Sequence, residues 1–161
     1  MPSVNPIPDG YRSLTPYLIV PDGAGAVRFY EQVFGAKLRL KLARPDGKLG
    51  HTELEIGDSV VMLADEHPDH HAYPPRHFGG SPVTLHLYVE DVDALVARAV
   101  AAGARLTRPV ENQFYGDRSG SFTDPSGHVW HVATHVEDVP PDEINRRAAA
   151  MQQAQGGGQK T

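Results

Sequence analysis

One pattern of residues occurs twice in this chain, at an interval of 69 positions. A strand-like segment at 15–20 is followed by Asp22 and by apolar residues at helical spacing that end at Gly35. A second strand-like segment at 84–89 is followed in the same way by Asp91 and by a second helical pattern. Acidic residues cap helix starts, and glycine suits the left-handed position that ends a helix, so both patterns predict helices. The constant interval predicts two modules of the same kind.

Each copy continues with three further strand-like segments. These segments lie at 38–43, 51–56 and 60–64 in the first copy and at 105–110, 117–123 and 128–134 in the second. We therefore predict an α+β fold, in which two tandem βαβββ modules form a curved, cup-like mixed sheet with helices on the convex side. The predicted divisions are an N-terminal extension at 1–13, a first module at 14–64, a Pro- and His-rich loop at 65–82, a second module at 83–136, and a C-terminal polar helix with a flexible tail at 137–161.

Alternation along the predicted strands separates a face that packs on the helices from a second, concave face. The concave face is expected to hold Thr15, Tyr17, Met62, Thr84, His86, Tyr88 and His131. Half polar and rich in aromatic rings, this set is typical of a small-molecule pocket. The alternative is a face buried against a partner subunit or a loop, whose polar side chains make structural hydrogen bonds.

Composition excludes several classes of function. The chain contains no Cys, which excludes disulfides, thiolate metal sites, Cys nucleophiles and iron–sulfur clusters. No apolar run approaches the roughly 20 residues that a membrane span needs, so a membrane partner is not expected. With no signal-peptide pattern and no Cys, we expect a cytoplasmic protein. A net charge of −5 without a Lys/Arg stripe argues against nucleic acid as a partner and favours cationic or neutral ligands.

Two motifs carry a resemblance to a known superfamily. The segment FYEQVFGA at 29–36 follows the first strand, and DPSGHVW at 124–130 leads into the last. With the duplicated βαβββ pattern, they resemble the vicinal oxygen chelate superfamily of glyoxalase I, fosfomycin and bleomycin resistance proteins and extradiol dioxygenases. The PhnB-like subgroup is similar in TPYL at 15–18, GHTEL at 50–54, DSVVMLAD at 58–65 and ATHVEDV at 133–139. The resemblance spans 14–139 and implies a homodimer, often with modules exchanged between subunits.

The resemblance also implies where a metal would bind. In metal-dependent members, four concave positions supply His and Glu ligands, and the register places these positions at Thr15, Met62, Thr84 and His131. Only the last is a good ligand for a divalent cation. We therefore expect no cofactor and a largely lost metal site. If a divalent metal is bound, His131, His86 and Glu53 are the candidate ligands, with His51 as a substitute for the carboxylate.

The favoured interpretation is a glyoxalase/bleomycin-resistance-like protein that binds a small molecule on the concave face. The candidate ligand-binding residues are Thr15, Tyr17, Met62, Thr84, Tyr88, Arg118 and Phe122, and the candidate catalytic residues are His131 and His86. Aromatic rings would stack on planar groups, and Arg118 would clamp an anionic group unless a nearby Asp pairs with it on the surface.

Two alternatives come from other classes of function. The first is a metal-dependent lyase or isomerase of the glyoxalase type, or a dioxygenase, that uses His131 with His86 and a nearby carboxylate. The second is a dimerisation or interaction module, whose sheet mainly contacts a partner chain. The loop histidines match no common zinc spacing and are expected to be solvated.

Overall fold

The computed structural model describes residues 4–156 and confirms the α+β fold of two βαβββ modules. The first module contains β1 (Tyr17–Val20), α1 (Gly23–Phe34), β2 (Lys37–Ala43), β3 (Leu49–Ile56) and β4 (Ser59–Asp65). The second contains β5 (Thr84–Tyr88), α2 (Val92–Ala101), β6 (Arg105–Asn112), β7 (Asp117–Thr123) and β8 (Val129–His135). A terminal helix, α3 (Pro141–Gly156), follows. The loop between the modules contains two short 3-10 turns, Pro68–His70 and Pro75–Phe78.

The strands form two four-stranded mixed sheets with the same topology. Their orders are β1-β4-β3-β2 and β5-β8-β7-β6. The outer first strand of each module runs parallel to the module's last strand, and the other pairs are antiparallel. β1 begins two residues later than the sequence predicts, because Pro16 has no amide hydrogen and only its carbonyl accepts from Met62 N, at 2.9 Å.

Both module helices begin at the predicted acidic caps. The Asp22 side chain accepts from Gly25 N at 3.0 Å, and the Asp91 side chain accepts from Ala94 N at 2.9 Å. Each carboxylate satisfies one of the free amides of a first helical turn. α1 ends at Gly35, whose φ of 64° is the left-handed conformation that favours glycine. The repeat in the sequence is thus also a repeat of local hydrogen bonding.

The helix-facing sides of both sheets share one hydrophobic core. Two aromatic residues of α1 reach across to the second module. The Phe34 ring lies 4.5 Å from the Trp130 ring and 6.3 Å from the Phe122 ring, and the Tyr30 ring lies 5.7 Å from the Trp130 ring, between centroids. The opposite faces of the two sheets therefore point away from this common core.

A buried carboxylate fastens the two modules together. Asp124, in the turn before β8, accepts from the Tyr30 hydroxyl at 2.6 Å and from Trp130 Nε1 at 2.9 Å. Its second oxygen accepts from the amides of Ser126 and His128, at 2.9 and 3.0 Å. Burial and the adjacent carboxylate hold the pKa of Tyr30 well above its usual value, so its hydroxyl stays protonated and donates. The DPSG turn is thus a structural joint.

α3 packs on the second module as the predicted polar helix. Arg147 donates to the carbonyl of Phe114 at 3.1 Å and pairs with Glu137 at 2.8 Å. The flexible tail predicted beyond this helix falls on 157–161, outside the described residues. None of the helices within 4–156 is both long enough and apolar enough to cross a membrane.

Candidate functional site

The face of β5–β8 that points away from the core carries one row of side chains, one from each strand. The register pairs His86 with His131, His131 with Ser121, and Ser121 with Arg108. Partners in register on neighbouring strands project to the same side of a sheet, so two imidazoles, a hydroxyl and a guanidinium lie side by side. β-bulges flank Arg108 on both sides, between Leu106 and Arg108 and between Arg108 and Glu111.

A cleft of about 580 Å³ opens over this row, within the size range of small-molecule pockets. The cleft is lined by Thr84, His86, Thr107, Arg108, Tyr115, Ser121, Val129 and His131. No carboxylate occurs among these lining residues. The local charge is therefore more positive than the net charge of −5 suggests.

His131 is the centre of the row. Its Nδ1 lies 2.7 Å from Ser121 Oγ, and its ring centroid lies 5.0 Å from that of His86. Burial, together with the neighbouring His86 and the charge of Arg108, holds the pKa of His131 below its ordinary value of 6.5. The imidazole is therefore neutral at pH 7 and can exchange hydrogen bonds with a bound molecule.

A second hydroxyl on this face has no hydrogen-bond partner. Ser119 Oγ is fully buried, and no described residue bonds to it. It lies in an adjoining cleft of about 210 Å³ that also contains Glu111, Tyr115 and His131. Buried polar groups are nearly always hydrogen-bonded, so this hydroxyl is an unused hydrogen-bonding group beside the cleft.

Beside the cleft, a carboxylate connects β5, β7 and β8. Asp117 is buried and accepts from the Tyr88 hydroxyl at 2.8 Å and from His135 Nδ1 at 2.8 Å. Although burial acts to raise the pKa of Asp117, the hydrogen bonds from His135 and Tyr88 prevail and lower it. The bonds to Asp117 and Asp138 raise the pKa of His135. These hydrogen bonds hold the Tyr88 ring at the edge of the open face of β5–β8.

The corresponding face of β1–β4 carries an equivalent row with different chemistry. Tyr17 pairs with Met62, Met62 with Glu53, and Glu53 with Leu40. The Tyr17 hydroxyl lies 2.9 Å from His51 Nδ1, and His51 Nε2 lies 3.0 Å from Glu53 Oε1. This row is more apolar than its counterpart on β5–β8, and it contains a carboxylate in place of a guanidinium.

The structure places the sequence-predicted ligand residues in three groups. Thr84 and both candidate catalytic histidines line the cleft, with Tyr88 at its edge, whereas Tyr17 and Met62 lie on the other sheet. Thr15 precedes β1 and belongs to no strand. The candidate residues of the two modules therefore do not meet in one hollow within a single chain.

Two of the predicted ligand residues lie away from the open face of the sheet. Phe122 is fully buried, and its ring stacks on Phe34 in the core, because even-numbered residues of β7 face the helices. Arg118 lies on the same helix side, where its Nε and Nη2 donate to the two carboxylate oxygens of Asp93 on α2, both at 2.7 Å. That ion pair is the alternative that the sequence offered for this arginine. Arg108 lines the cleft instead.

The donor set does not fit the metal centre that the resemblance implies. Of the four implied positions, only His131 carries a strong donor for a divalent cation. The substitute set is divided between two sheets: His86 and His131 lie on β5 and β8, whereas Glu53 lies on β3 and bonds to His51. Within residues 4–156, no group of three or more His, Cys, Asp or Glu side chains is arranged to hold a metal ion.

Several features of the site were not predicted from the sequence. Arg108, Ser119, Ser121 and Tyr115 were not among the candidates, and neither was the bond between Tyr17 and His51. The facing of the two serines could have been predicted, because strand alternation places Ser119 and Ser121 on the face opposite the core residue Phe122. The face on which Arg108 lies could not be predicted, because the β-bulges in β6 break the two-residue alternation.

Comparison with known proteins agrees with the fold and the motifs. The family model described as Glyoxalase/Bleomycin resistance protein/Dioxygenase superfamily matches residues 13–132. An uncharacterized protein of Mycobacterium bovis is 42% identical over 147 residues, which cover 89% of this chain and 95% of that protein.

Two solved structures share the same arrangement. The crystal structure of TioX from Micromonospora sp. ML1 is 26% identical, with a TM-score of 0.60, and the match covers 78% of this chain and 99% of TioX. The X-ray structure of an Arabidopsis thaliana gene product is 28% identical, with a TM-score of 0.62, and the match covers 76% of this chain and 98% of that one. The chain therefore belongs to the glyoxalase/bleomycin resistance protein/dioxygenase superfamily.

Proposed function

We propose that this protein binds a small organic anion on the face of β5–β8 and that no metal takes part in holding it. The observation that carries the proposal is the row of His86, His131, Ser121 and Arg108 across an open cleft without a carboxylate. A guanidinium next to neutral hydrogen-bonding groups is a standard way of binding a carboxylate, sulfonate or phosphate.

The remaining lining residues suit the organic part of such a molecule. Tyr115 and Val129 offer apolar surface beside the polar row. Ser119 supplies a buried hydroxyl whose hydrogen-bonding capacity is unused. The proposed ligand thus combines a planar or apolar body with one anionic group. It differs from the cationic or neutral ligand expected from net charge, because the charge of the whole chain does not describe this cleft.

We further propose that a second copy of the chain covers the open faces, as the resemblance implies. Large apolar side chains on these faces are exposed: Tyr17 by 48%, Leu42 by 52% and Tyr88 by 59%. A homodimer would bury this surface and enclose the cleft.

A second candidate function is an isomerase or lyase that works by acid–base chemistry. The observation that favours it is the pair of imidazoles of His86 and His131, 5.0 Å apart in the cleft. Two such groups can protonate and deprotonate adjacent positions of a bound molecule. Turnover that is lost in His131→Ala, although binding of the same molecule persists, would support this candidate over a binding protein without turnover.

The binding proposal is tested with 8-anilino-1-naphthalenesulfonate, an anion with an apolar ring system whose fluorescence rises on binding. We expect Arg108→Ala to raise its Kd by tenfold or more, because a hydrogen bond to a charged group contributes about 1.5–3 kcal/mol. Arg118→Ala is the matched control. Its guanidinium is held by Asp93 on the helix side, so the Kd should stay within about twofold of the wild-type value.

Far-UV circular dichroism and the midpoint of thermal unfolding establish that both variants are folded. An equal rise of the Kd in both variants would show that the dye binds elsewhere and would contradict the proposal. An unchanged Kd in Arg108→Ala would contradict it as well.

A further inference from the structure

A β-bulge in β6 places an arginine and a glutamate on the same face of the second sheet. Arg108 pairs with Ser121 and Glu111 pairs with Ser119, so three steps along β6 lie opposite two steps along β7. In a regular strand, residues three positions apart point to opposite faces, but the extra residue of a bulge returns the second side chain to the face of the first. The guanidinium and the carboxylate therefore both project to the open side of β5–β8.

The two charges do not neutralise each other. Within residues 4–156, neither Arg108 nor Glu111 takes part in an ion pair. Gln113 Nε2 donates to the carbonyl oxygen of Glu111 at 3.4 Å, not to its carboxylate. Both charged side chains are exposed. A cation and an anion on one face are therefore both available to a bound molecule.

The spacing between the two charges suits an α-amino acid. Their partners on β7, Ser121 and Ser119, are two residues apart, which corresponds to about 7 Å along a strand. An α-amino acid carries its carboxylate and its ammonium on a single carbon. With charge-assisted contacts of about 2.8 Å at either end, such a molecule spans the gap between a guanidinium and a carboxylate.

The surroundings supply the remaining contacts that an amino acid needs. Glu111 and Ser119 line the adjoining cleft of about 210 Å³, and Arg108 and Tyr115 line both clefts. Ser119 Oγ has no hydrogen-bond partner among the described residues, and its lone pairs can accept from an ammonium. The Tyr115 ring offers apolar surface to a side chain that lies between the two clefts.

We propose that Arg108 and Glu111 form a clamp for a zwitterion, and that the ligand is an α-amino acid with an aromatic or apolar side chain. Its carboxylate contacts Arg108, its ammonium contacts Glu111 and Ser119, and its side chain lies along Tyr115. The proposal rests on the proposed anion site and narrows the class of its ligand, because an anion without an ammonium leaves the Glu111 carboxylate unpaired. The clamp lies in the clefts, which a second copy of the chain would enclose rather than fill.

Isothermal titration calorimetry with three indole compounds tests the clamp. L-Tryptophan carries both charged groups, indole-3-propionate lacks only the ammonium, and tryptamine lacks only the carboxylate. We expect the Kd of L-tryptophan to be about tenfold lower than that of indole-3-propionate, because only the amino acid makes charge-assisted hydrogen bonds to Glu111. Tryptamine should bind more weakly than L-tryptophan by a similar factor, because it has no group that pairs with Arg108.

Glu111→Gln keeps the size of the side chain and removes its charge. It should raise the Kd of L-tryptophan by about tenfold but leave that of indole-3-propionate within about twofold of the wild-type value. Ser119→Ala should weaken the binding of L-tryptophan by a smaller factor, because a neutral acceptor is lost. Glu31→Gln is the matched control, since Glu31 is exposed on α1, on the helix side, and its substitution should change neither Kd.

L-Tryptophan that binds no more tightly than indole-3-propionate would overturn the clamp, and so would a preference for L-tryptophan that survives in Glu111→Gln. In either case, dye binding that still weakens in Arg108→Ala leaves the anion site in place. If the Kd of the dye is unchanged in Arg108→Ala, the anion proposal fails, and the clamp that rests on it fails as well. The two proposals are thus distinguished by different variants.

Discussion

Replacing Asp124 with alanine is expected to lower the free energy of unfolding by about 3–5 kcal/mol, the range in which loss of a buried charged network falls. Asp124 is almost fully buried and accepts four hydrogen bonds, including those from Tyr30 of α1 and Trp130 of β8. Its removal would leave these donors buried without partners, and the two modules would no longer share a common hydrogen-bond acceptor.

Urea denaturation followed by the fluorescence of Trp130, the chain's single tryptophan, measures this loss directly. Asp58→Ala is the matched control, because the ion pair of Asp58 with Arg12 is exposed and should change stability by less than about 0.5 kcal/mol. Asp124→Asn should fall between the two, since one amide-facing oxygen survives while the new NH₂ group opposes the indole N–H. Equal stability of Asp124→Ala and Asp58→Ala would show that the DPSG turn is not a joint.

The second large effect concerns assembly. Sedimentation equilibrium of the wild-type protein is expected to give twice the chain mass of 17.5 kDa. Leu42→Asp should shift the protein to the mass of one chain, because a carboxylate would then replace apolar surface on the face that the second copy is proposed to cover. The expected shift is all-or-none at micromolar concentration.

Leu38 offers a matched control on the same strand. It is exposed by 48%, close to the 52% of Leu42, but it is paired with the core residue Leu54 and so lies on the helix side of β2. Leu38→Asp should therefore leave the dimer intact. A wild-type protein that sediments as a single chain, or equal dissociation by both substitutions, would contradict the proposed covering of the open faces.

The fold could be predicted from the sequence because its constraints are local and occur twice. Cap residues, helical spacing and strand alternation depend on neighbouring positions. Because the same pattern occurs in both modules, the helices and strands assigned in one module support those assigned in the other. The start of β1 was misplaced by two residues because the missing amide of Pro16 outweighs the strand pattern.

The site was predicted less completely, since it depends on contacts between strands. His86 and His131 were placed together because the repeat fixes both registers. The bond of Tyr17 to His51 crosses an intervening strand, and Arg108 follows a β-bulge, so neither position can be read from alternation. The common core of the modules was also unpredicted. It turns the two faces outward, whereas the sequence left open whether one chain closes the cup.

The most direct test of the central proposal is nuclear magnetic resonance of the histidine rings during titration with 8-anilino-1-naphthalenesulfonate. We expect the ring signals of His86 and His131 to shift in proportion to dye occupancy, because both imidazoles line the anion cleft. The ring signal of His70, in the connecting loop, should stay unchanged. Saturable dye binding that shifts His70 but leaves His86 and His131 in place would contradict a ligand site on β5–β8.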